Sequence, residues 1–294
     1  MLVCFAAILI FMARPVLSDD TAAVSGTTSA GKMMIAELRS LYGSIPSASS
    51  LYLTEPVVSG SAYMPGVMTD EAYANALGWI NYYRKAAGLS GVTFTDTLNT
   101  SASYGALCLA MNDSGLSHYP PQPADMSDTD YSTAYAATSQ SNLSYSSTYG
   151  SAASASSVIR SAISGQVEDK DESNISVLGH RRWLFYPGTL NMGYGTADAV
   201  NDSWYSFYTD IRVFGNDVSK KTVSDYDFIA WPASGKNLTD TFPRTTPWSV
   251  TLNPSNYQSP SKNNVQVVLT RLSDGKVWTF NKNTDTSTVG GAND

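Results

Sequence analysis

The segment Leu178-Gly-His-Arg-Arg-Trp183 divides the chain into two parts with different patterns. Before it, apolar residues recur at the spacing of amphipathic helices, and after it they alternate as they do in strands. The 294-residue chain is therefore predicted to be an α+β protein in which helices precede an antiparallel sheet. The segment also contains His180, one of only two histidines, so it is a candidate site as well as a boundary.

Three helices are predicted before this boundary. The first begins at Asp70 and ends before Gly88, which supplies the C-terminal stop. The second covers residues 98–111 and carries apolar groups on two faces, which indicates burial between two layers. The third covers residues 155–163, and Gly165 is expected to end it.

Two stretches before the boundary lack a strong apolar pattern. Residues 19–66 are rich in Ser, Thr, Gly and Pro, and we interpret them as a loosely ordered, low-complexity leader with one short helix near residues 33–42. Residues 127–157 are rich in Ser, Ala, Thr and Tyr. Because large aliphatic side chains are scarce there, this stretch is predicted to be an exposed loop region with short ordered pieces.

The part after the boundary is predicted to consist of strands. Residues 191–195 and 204–213 form a hairpin pattern around a polar turn. Further strands are predicted at residues 248–252, 265–272 and 276–280. We therefore expect a main domain at 67–215 and an all-β appendage at 216–294, which is expected to be incomplete because no closing strand is recognisable.

The charge and aromatic content exclude two classes of protein. The chain has 25 acidic and 18 basic side chains and a net charge of -7. A nucleic-acid partner is excluded because recognition of a phosphate backbone depends on clustered Lys and Arg. Global disorder is excluded because 6 Trp, 18 Tyr and 9 Phe supply more apolar area than disordered chains hold.

Residues 1–18 are predicted to be a signal peptide. Their apolar run is shorter than the ~20 residues of a membrane-spanning helix. Cleavage before Asp19 would direct the protein outside the cell or to the cell envelope, with no transmembrane segment in the mature chain. Removal of Cys4 would leave Cys108 without a disulfide partner, and its apolar surroundings favour a core role over a nucleophilic one.

Both histidines lie next to loop residues. His118 is in Gly115-Leu-Ser-His-Tyr-Pro-Pro121, and His180 follows 62 residues later. Only folding can bring them together, so their spacing alone does not indicate a metal. Each could hold a metal or act as a base, and the alternative for each is a structural histidine bonded to a backbone carbonyl.

An acidic cluster precedes His180. Its members are Glu168, Asp169, Asp171 and Glu172. A metal site could use one of these carboxylates. The alternative is a solvated acidic loop that pairs with Arg181 and Arg182, and exposed pairs of that kind contribute only ~0–1 kcal/mol each.

Taken in order, the segments resemble the CAP superfamily, the secreted group of cysteine-rich secretory proteins, insect antigen 5 and plant pathogenesis-related proteins. Asn81-Tyr-Tyr-Arg84 with Ala87-Gly-Leu89 resembles the family's first helix, and residues 97–110 resemble its second. His118 falls at the family's first cavity histidine. Gly179-His-Arg181 resembles the signature that holds the second histidine.

This resemblance implies a three-layer α-β-α sandwich with the β-rich C-terminal region appended to it. In the family, a central cavity can hold a divalent metal such as zinc between two histidines and two acids, which implies a metal site at His118 and His180. The family is associated with binding lipids, sterols, carbohydrates or partner proteins. Gly-His-Arg-Arg-Trp and the lack of cysteine pairs are similar to a bacterial branch without disulfides.

The chain departs from the family at the acidic positions of the cavity. Ser141-Asn142-Leu143 resembles a segment that usually reads Glu-Asn, so Ser141 stands where the first glutamate is expected. The second glutamate has its nearest counterparts in Glu168 and Glu172. The residues expected to line the cleft are therefore Ser141, Asn142, Glu168 and Glu172.

Three functions follow from these observations. The first is a secreted, non-enzymatic binding module whose cleft takes a small-molecule, lipid, glycan or protein ligand. The second is a metal-assisted hydrolase in which His118 and His180 hold zinc and an acid such as Glu172 acts as general base. The third is a structural or adhesive cell-wall protein that makes contacts through its Tyr- and Ser-rich surface. The replaced glutamate favours the first over the second.

Overall fold

A computed structural model describes most of the chain: residues 10–12, 23–25, 35–171, 174–220, 226–233, 237–258, 263, 265–271, 274–281 and 283. The helices in these ranges are α1 (Ile35–Gly43), α2 (Asp70–Ala86), α3 (Asp96–Asn112), α4 (Asp128–Thr138), α5 (Ala155–Glu168) and α6 (Gly179–Leu184). The strands are β1 (Ile10–Met12), β2 (Ala23–Ser25), β3 (Tyr52–Thr54), β4 (Val67–Met68), β5 (Thr93–Phe94), β6 (Ser141–Tyr149), β7 (Asn191–Asn201), β8 (Trp204–Arg212), β9 (Phe228–Trp231), β10 (Ser249–Leu252), β11 (Val267–Thr270) and β12 (Val277–Phe280).

The central sheet has the strand order β5-β7-β8-β6. β7 and β8 form the predicted hairpin, but the hairpin is longer than expected because Asn201 pairs directly with Trp204. β6 pairs antiparallel with β8 in an unbroken register from Ser141 opposite Arg212 to Tyr149 opposite Trp204. The short β5 is parallel to β7.

Helices cover both faces of this sheet. One face carries Tyr194, Phe207 and Ile211, which pack with apolar residues of α2 and α5 in the main core. The opposite face carries Tyr208, which packs with Leu109 and other residues of α3 in a smaller cluster, and α4 packs on the outer side of α3. The mixed α+β, α-β-α core predicted from the sequence is confirmed.

Two glycines of β7 allow α3 to lie directly on the sheet. A Cβ atom on Gly193 would overlap the backbone carbonyl of Leu98, and one on Gly195 would overlap the backbone of Ala102 and Ser103. Backbone-to-backbone approach of this kind leaves no room for a side chain. The second helix is buried, as the sequence predicted. It is one or two residues longer at each end than the predicted range 98–111.

The predicted loop region at 127–157 is wrong in its main part. It contains α4 and the nine-residue strand β6. Small residues replace the missing aliphatic ones, since Ala134 and Ala137 of α4 are fully buried. Leu143 is the one large aliphatic residue of β6 that is buried, so composition alone concealed the strand.

The third helix also differs from its prediction. Gly165 does not end it, and α5 continues to Glu168. The helix ends at Asp169, which adopts the left-handed conformation with φ 50° and donates its backbone N–H to Gly165 O. Asp tolerates this region better than most residues because its side chain can bond locally.

Part of the predicted leader is packed rather than loosely ordered. The short helix expected near residues 33–42 is present as α1, and its Leu38 is buried in the main core. Leu51 and Tyr52 are buried in the same core. Residues 35–54 therefore belong to the folded structure.

The β-rich character predicted for the C-terminal part is confirmed, and its strands form small hairpins, but β9 is a strand that the sequence did not predict. β9 pairs with β10 and β11 pairs with β12, all antiparallel. β11 also pairs with β1, which lies within the predicted signal peptide, so this pairing describes the uncleaved chain. The other residues of 1–18 lie outside the described ranges. Within those ranges, no helix has the length and apolar character needed to cross a membrane.

Candidate functional site

His180 is held by a buried carboxylate. It is the second residue of α6, and its Nδ1 lies 2.9 Å from Oδ1 of Asp169. The Asp169 side chain is fully buried, whereas 26% of the His180 side chain is exposed. The second oxygen of Asp169, Oδ2, accepts the backbone N–H of Arg181 at 3.1 Å. Asp169 therefore fixes both the imidazole ring and the first turn of α6.

Asn174 contacts the same oxygen of Asp169 as His180 does. Its Nδ2 donates to Asp169 Oδ1, and its Oδ1 accepts the Gly179 N–H at 3.3 Å. The amide nitrogen also lies 2.8 Å from His180 Nδ1, because both groups donate to the same carboxylate oxygen. With Nδ1–H committed to Asp169, the neutral ring has its lone pair on Nε2.

Arg181 anchors this arrangement to the rest of the domain. Its buried guanidinium donates from Nε to Val167 O at 2.6 Å and from Nη2 to Glu168 O at 2.7 Å. Nη1 reaches Pro247 O at 2.9 Å. Burial lowers the pKa of Arg181 to about 10, against the opposing effect of the Asp169 carboxylate, so it stays positively charged at neutral pH. Arg181 joins α5, α6 and the C-terminal segment.

The first residues of β6 connect His180 to the central sheet. Asn142 is buried and donates from Nδ2 to the backbone oxygen of His180 at 2.8 Å. Ser141 is also buried, and its hydroxyl donates to Ala137 O at 2.8 Å. Asn142 thus positions the His180 backbone, while Ser141 bonds to the last turn of α4.

His118 lies in the exposed loop after α3. Its Nδ1 is 2.8 Å from the backbone oxygen of Thr138, which can only accept a hydrogen bond. Nδ1 is therefore the donor, and the lone pair of the neutral ring is on Nε2. The Thr138 hydroxyl donates back to His118 O at 3.1 Å, which fixes the loop on the end of α4.

The two histidines therefore contact the same turn, residues 138–142 between α4 and β6. His118 reaches it through its ring, at Thr138 O, whereas His180 reaches it through its backbone oxygen, at the Asn142 amide. We call this end of the central sheet the histidine end. In both rings Nδ1–H donates a hydrogen bond to an oxygen of the protein, and the lone pair is on Nε2.

A metal fits these tautomers but lacks a full set of protein ligands. Metal-binding histidines usually donate the other ring N–H to a carboxylate or a carbonyl, as both do here. Catalytic zinc sites usually have three protein ligands. The described part of the chain holds no group of three or more His, Cys, Asp and Glu side chains that could bind a metal. Within the described residues, the two imidazoles therefore lack a third His, Cys, Asp or Glu ligand.

The other two residues predicted to line the cleft are Glu168 and Glu172, and the described ranges include only Glu168. Glu168 is mostly buried and pairs with Lys170, whose Nζ lies 2.7 Å from its Oε2. It bonds Arg181 through its backbone, and no contact with a histidine ring is seen in the described ranges. Glu172 lies outside the described residues. The ion pair seen for Glu168 is thus with Lys170, whereas the solvated-loop alternative predicted pairs with Arg181 and Arg182.

Sequence reasoning missed Asp169 as the partner of His180. Four acids precede His180, and nothing in their spacing distinguishes one from another. The distinguishing feature is that Asp169 stands at the helix end, where its left-handed backbone turns the carboxylate inward. Only a correct prediction that α5 ends at Asp169 could have singled out this acid from the sequence.

A second buried acid lies on the α3 face of the sheet. Asp210 of β8 is fully buried, and a Cβ on Gly105 of α3 would overlap its Oδ2. Neither of its oxygens has a hydrogen-bond partner among the described residues. Burial raises the pKa of Asp210 to about 7, against the opposing effects of the neighbouring Ser141 hydroxyl and Arg212.

The match to a known family covers this site. Residues 77–209 match the family model described as CAP, the cysteine-rich secretory protein family. These residues form a CAP domain. The matched range includes both histidines, Asp169 and the turn at 138–142, and it lies within the predicted range 67–215. No curated protein matches the chain.

CAP-family proteins are typically secreted. Within the described residues, the CAP domain has no disulfide, and Cys108 is a buried free thiol. Burial raises the pKa of that thiol to about 11, so it is protonated at neutral pH and is a poor nucleophile. The core role predicted for Cys108 agrees with this environment.

Proposed function

We propose that this chain is a secreted, non-enzymatic binding module whose ligand binds at the histidine end of the CAP domain. The observation that carries the proposal is that hydrogen bonds hold the two histidine rings in the same tautomer. Each imidazole is held through Nδ1–H by an oxygen of the protein, so each can offer Nε2 to a ligand as a hydrogen-bond acceptor. Two fixed acceptors at one turn suit recognition of hydroxyl or amide groups.

Exposed aromatic rings next to His118 supply apolar contact area. Tyr119 is 67% exposed, and its ring centroid lies 5.9 Å from that of Tyr135 on α4. Tyr131 extends this group, with its hydroxyl donated to Pro120 O at 2.9 Å. Tyrosines combine a large rigid contact area with a polar tip, which is typical of ligand surfaces.

The hydrogen bonds of the histidines favour binding over nucleophilic catalysis. A serine or cysteine nucleophile needs a base within hydrogen-bond reach. In the described ranges, the ring of His118 bonds a backbone carbonyl, and the ring of His180 bonds Asp169 beside Asn174. Neither ring contacts a Ser, Thr or Cys side chain there, so a nucleophile–base pair is not formed.

A metal-assisted hydrolase is the second candidate, because the two Nε2 atoms are also the atoms that would bind zinc. It ranks below the binding module because three side-chain ligands are not assembled in the described residues. The absence of disulfides and the Gly179-His-Arg-Arg-Trp183 segment support placing the domain in the bacterial branch of the family.

The test uses the fact that the chain has only two histidines. Protein labelled with ¹⁵N-histidine gives one set of imidazole signals for each ring. Four probes are titrated: lysophosphatidylcholine, cholesterol in cyclodextrin, cellohexaose and zinc chloride. We expect an organic probe to shift both imidazoles with one common saturation curve, and His180→Gln to weaken that binding.

The outcomes separate the candidates. If only zinc shifts both rings, and ester or peptide hydrolysis appears with zinc, the binding-module proposal is overturned in favour of the hydrolase. If no probe shifts either ring in a folded protein, the histidine end is not a ligand site. Val200→Ala, an exposed position next to the β7–β8 turn at the other end of the sheet, is the control that should leave all titrations unchanged.

A further inference from the structure

On its α3 face, the end of the central sheet opposite the histidines extends beyond the last turn of α3. α3 ends at Asn112, and the next residue, Asp113, accepts the Tyr208 hydroxyl at 2.7 Å. β6, β7 and β8 continue beyond this point to the turn between Asn201 and Trp204. We call this part of the sheet the hairpin end.

Three large rings are exposed on this face. Tyr145 is 45% exposed, Tyr149 is 70% exposed and Trp204 is 50% exposed. Tyr149 and Trp204 are opposite each other in the register of β6 and β8, with ring centroids 5.3 Å apart. Tyr145 lies four residues before Tyr149, or about 14 Å along the strand. Because side chains alternate along a strand, all three rings point to the same side.

The strands hold these rings in place before any ligand binds. The pairing of β6 with β8 is continuous through this region, and β7 pairs with β8 up to the turn. The Tyr145 ring centroid lies 5.1 Å from that of Tyr208, and its hydroxyl is 3.1 Å from Ser206 Oγ. Rings that are already ordered lose little entropy on binding.

The surroundings of the rings are polar but almost uncharged. Ser147 and Ser206 are opposite each other, between the Tyr145–Tyr208 pair and the Tyr149–Trp204 pair. Asn201 of β7 is opposite Trp204. Residues 141–149 and 201–208 contain no Lys or Arg, and their one acid is Asp202 at the turn. A second acid near the rings is Asp113, which accepts the hydroxyl of Tyr208, the ring neighbour of Tyr145. With a net charge of -7 on the whole chain, the surface offers nothing to attract an anionic polymer or an anionic membrane.

We propose that Tyr145, Tyr149 and Trp204 form a binding platform for an uncharged oligosaccharide. The electron-rich face of an aromatic ring attracts the C–H groups on the flat side of a pyranose ring. Serine, asparagine and tyrosine side chains next to it can exchange hydrogen bonds with sugar hydroxyls. Along β6 the platform begins about 10 Å from Asn142 at Tyr145 and extends to about 24 Å at Tyr149, on the opposite face of the strand, so it is a second site, separate from the histidine end.

The experiment measures binding of neutral and anionic hexasaccharides by isothermal titration calorimetry. The probes are cellohexaose, chitohexaose and laminarihexaose, with a heparin-derived hexasaccharide as the charged comparison. At least one neutral probe is expected to bind. The double variant Tyr149→Ala, Trp204→Ala should weaken it about tenfold or more, as expected when central aromatic contacts are removed.

Two variants serve as matched controls. Val200→Ala removes an exposed side chain on the other face of the same hairpin, because Val200 is opposite Tyr205 rather than Trp204. Tyr186→Ala removes an exposed tyrosine that neither proposed site includes. Both should bind the neutral probe within about twofold of the unchanged chain. The double variant Tyr149→Ala, Trp204→Ala should keep its two imidazole signals, which shows that it is folded.

Four results would overturn the proposal. These are no binding of any neutral probe, binding of the heparin fragment only, equal loss in the Val200→Ala control, and a dimer in light scattering that Trp204→Ala dissociates. The last result would mean that a second copy of the chain covers the rings. The site is independent of the histidine end, so either proposal can fail without the other.

Discussion

The two faces of the central sheet are packed in different ways. On the α2 and α5 face, large side chains such as Tyr194, Phe207 and Ile211 meet apolar residues of the helices. On the α3 face, glycines bring backbone against backbone, and the buried set includes the polar residue Asp210. The first face should therefore tolerate small losses of volume, whereas the second should be sensitive to any added atom and to pH.

The largest effect is expected from adding one carbon to the tightly packed face. Gly195→Ala would place a Cβ atom on the backbone of Ala102 and Ser103. We expect a loss of about 3 kcal/mol or more in the free energy of unfolding, because backbone has to move. Urea denaturation of the variant and the unchanged chain measures this loss in the free energy of unfolding.

Gly165→Ala is the matched control, since a Cβ at that helical position meets no atom within 4 Å. It should stabilise α5 by about 0.5–1 kcal/mol. Equal effects of the two substitutions would show that close packing of α3 on β7 is not what Gly195 provides.

The next effect is pH-dependent and comes from Asp210. Its pKa of about 7 in the folded state is above the ordinary 3.8, so the folded protein holds this proton more tightly than the unfolded chain. The resulting stability is present below pH ~4 and is lost as the pH rises through ~7, on the order of 4 kcal/mol over the whole range. Asp210→Asn should remove this part of the slope in urea denaturation from pH 4 to 8. The same slope in both proteins would contradict the assignment.

A smaller effect is expected at the polar cluster around His180. Asp169→Ala removes the acceptor of His180 Nδ1–H and of the Arg181 backbone N–H. We expect a loss of about 2 kcal/mol, the usual result when buried donors lose their acceptor. The ¹⁵N shifts of His180 should also change from the Nδ1–H tautomer, while those of His118 stay the same. Unchanged His180 shifts would mean that Asp169 does not select the tautomer.

The smallest effect is expected from removing one carbon from the apolar face. Ile163 is fully buried in the main core. Ile163→Val should cost about 1 kcal/mol, with no change in the pH dependence. Thermal and urea unfolding check this value. A cost equal to that of Gly195→Ala would remove the contrast between the two faces.

The sequence was most informative where packing produces a regular pattern. The helical spacing of apolar residues predicted α2 and α3 closely, and alternation predicted β7 and β8. The same reasoning failed for α4 and β6, because alanine, serine and tyrosine fill those positions and carry little periodic signal. It also ended α5 too early, at Gly165 instead of Asp169.

The candidate site shows the same division. His118 and His180 could be chosen from the sequence because the chain has no other imidazole. Their partners could not, since Thr138 acts through a backbone oxygen and Asp169 is one of four neighbouring acids. A backbone acceptor leaves no trace in residue type.

By itself the sequence determined the α+β class, the order of helices before strands, and the two histidines, because these depend on local periodicity and on rare residue types. The tertiary structure alone decided which acid holds His180, that both histidines meet one turn, and that Tyr149 and Trp204 share an open face. Those relations join residues far apart in the chain, and only strand register and helix packing bring them together.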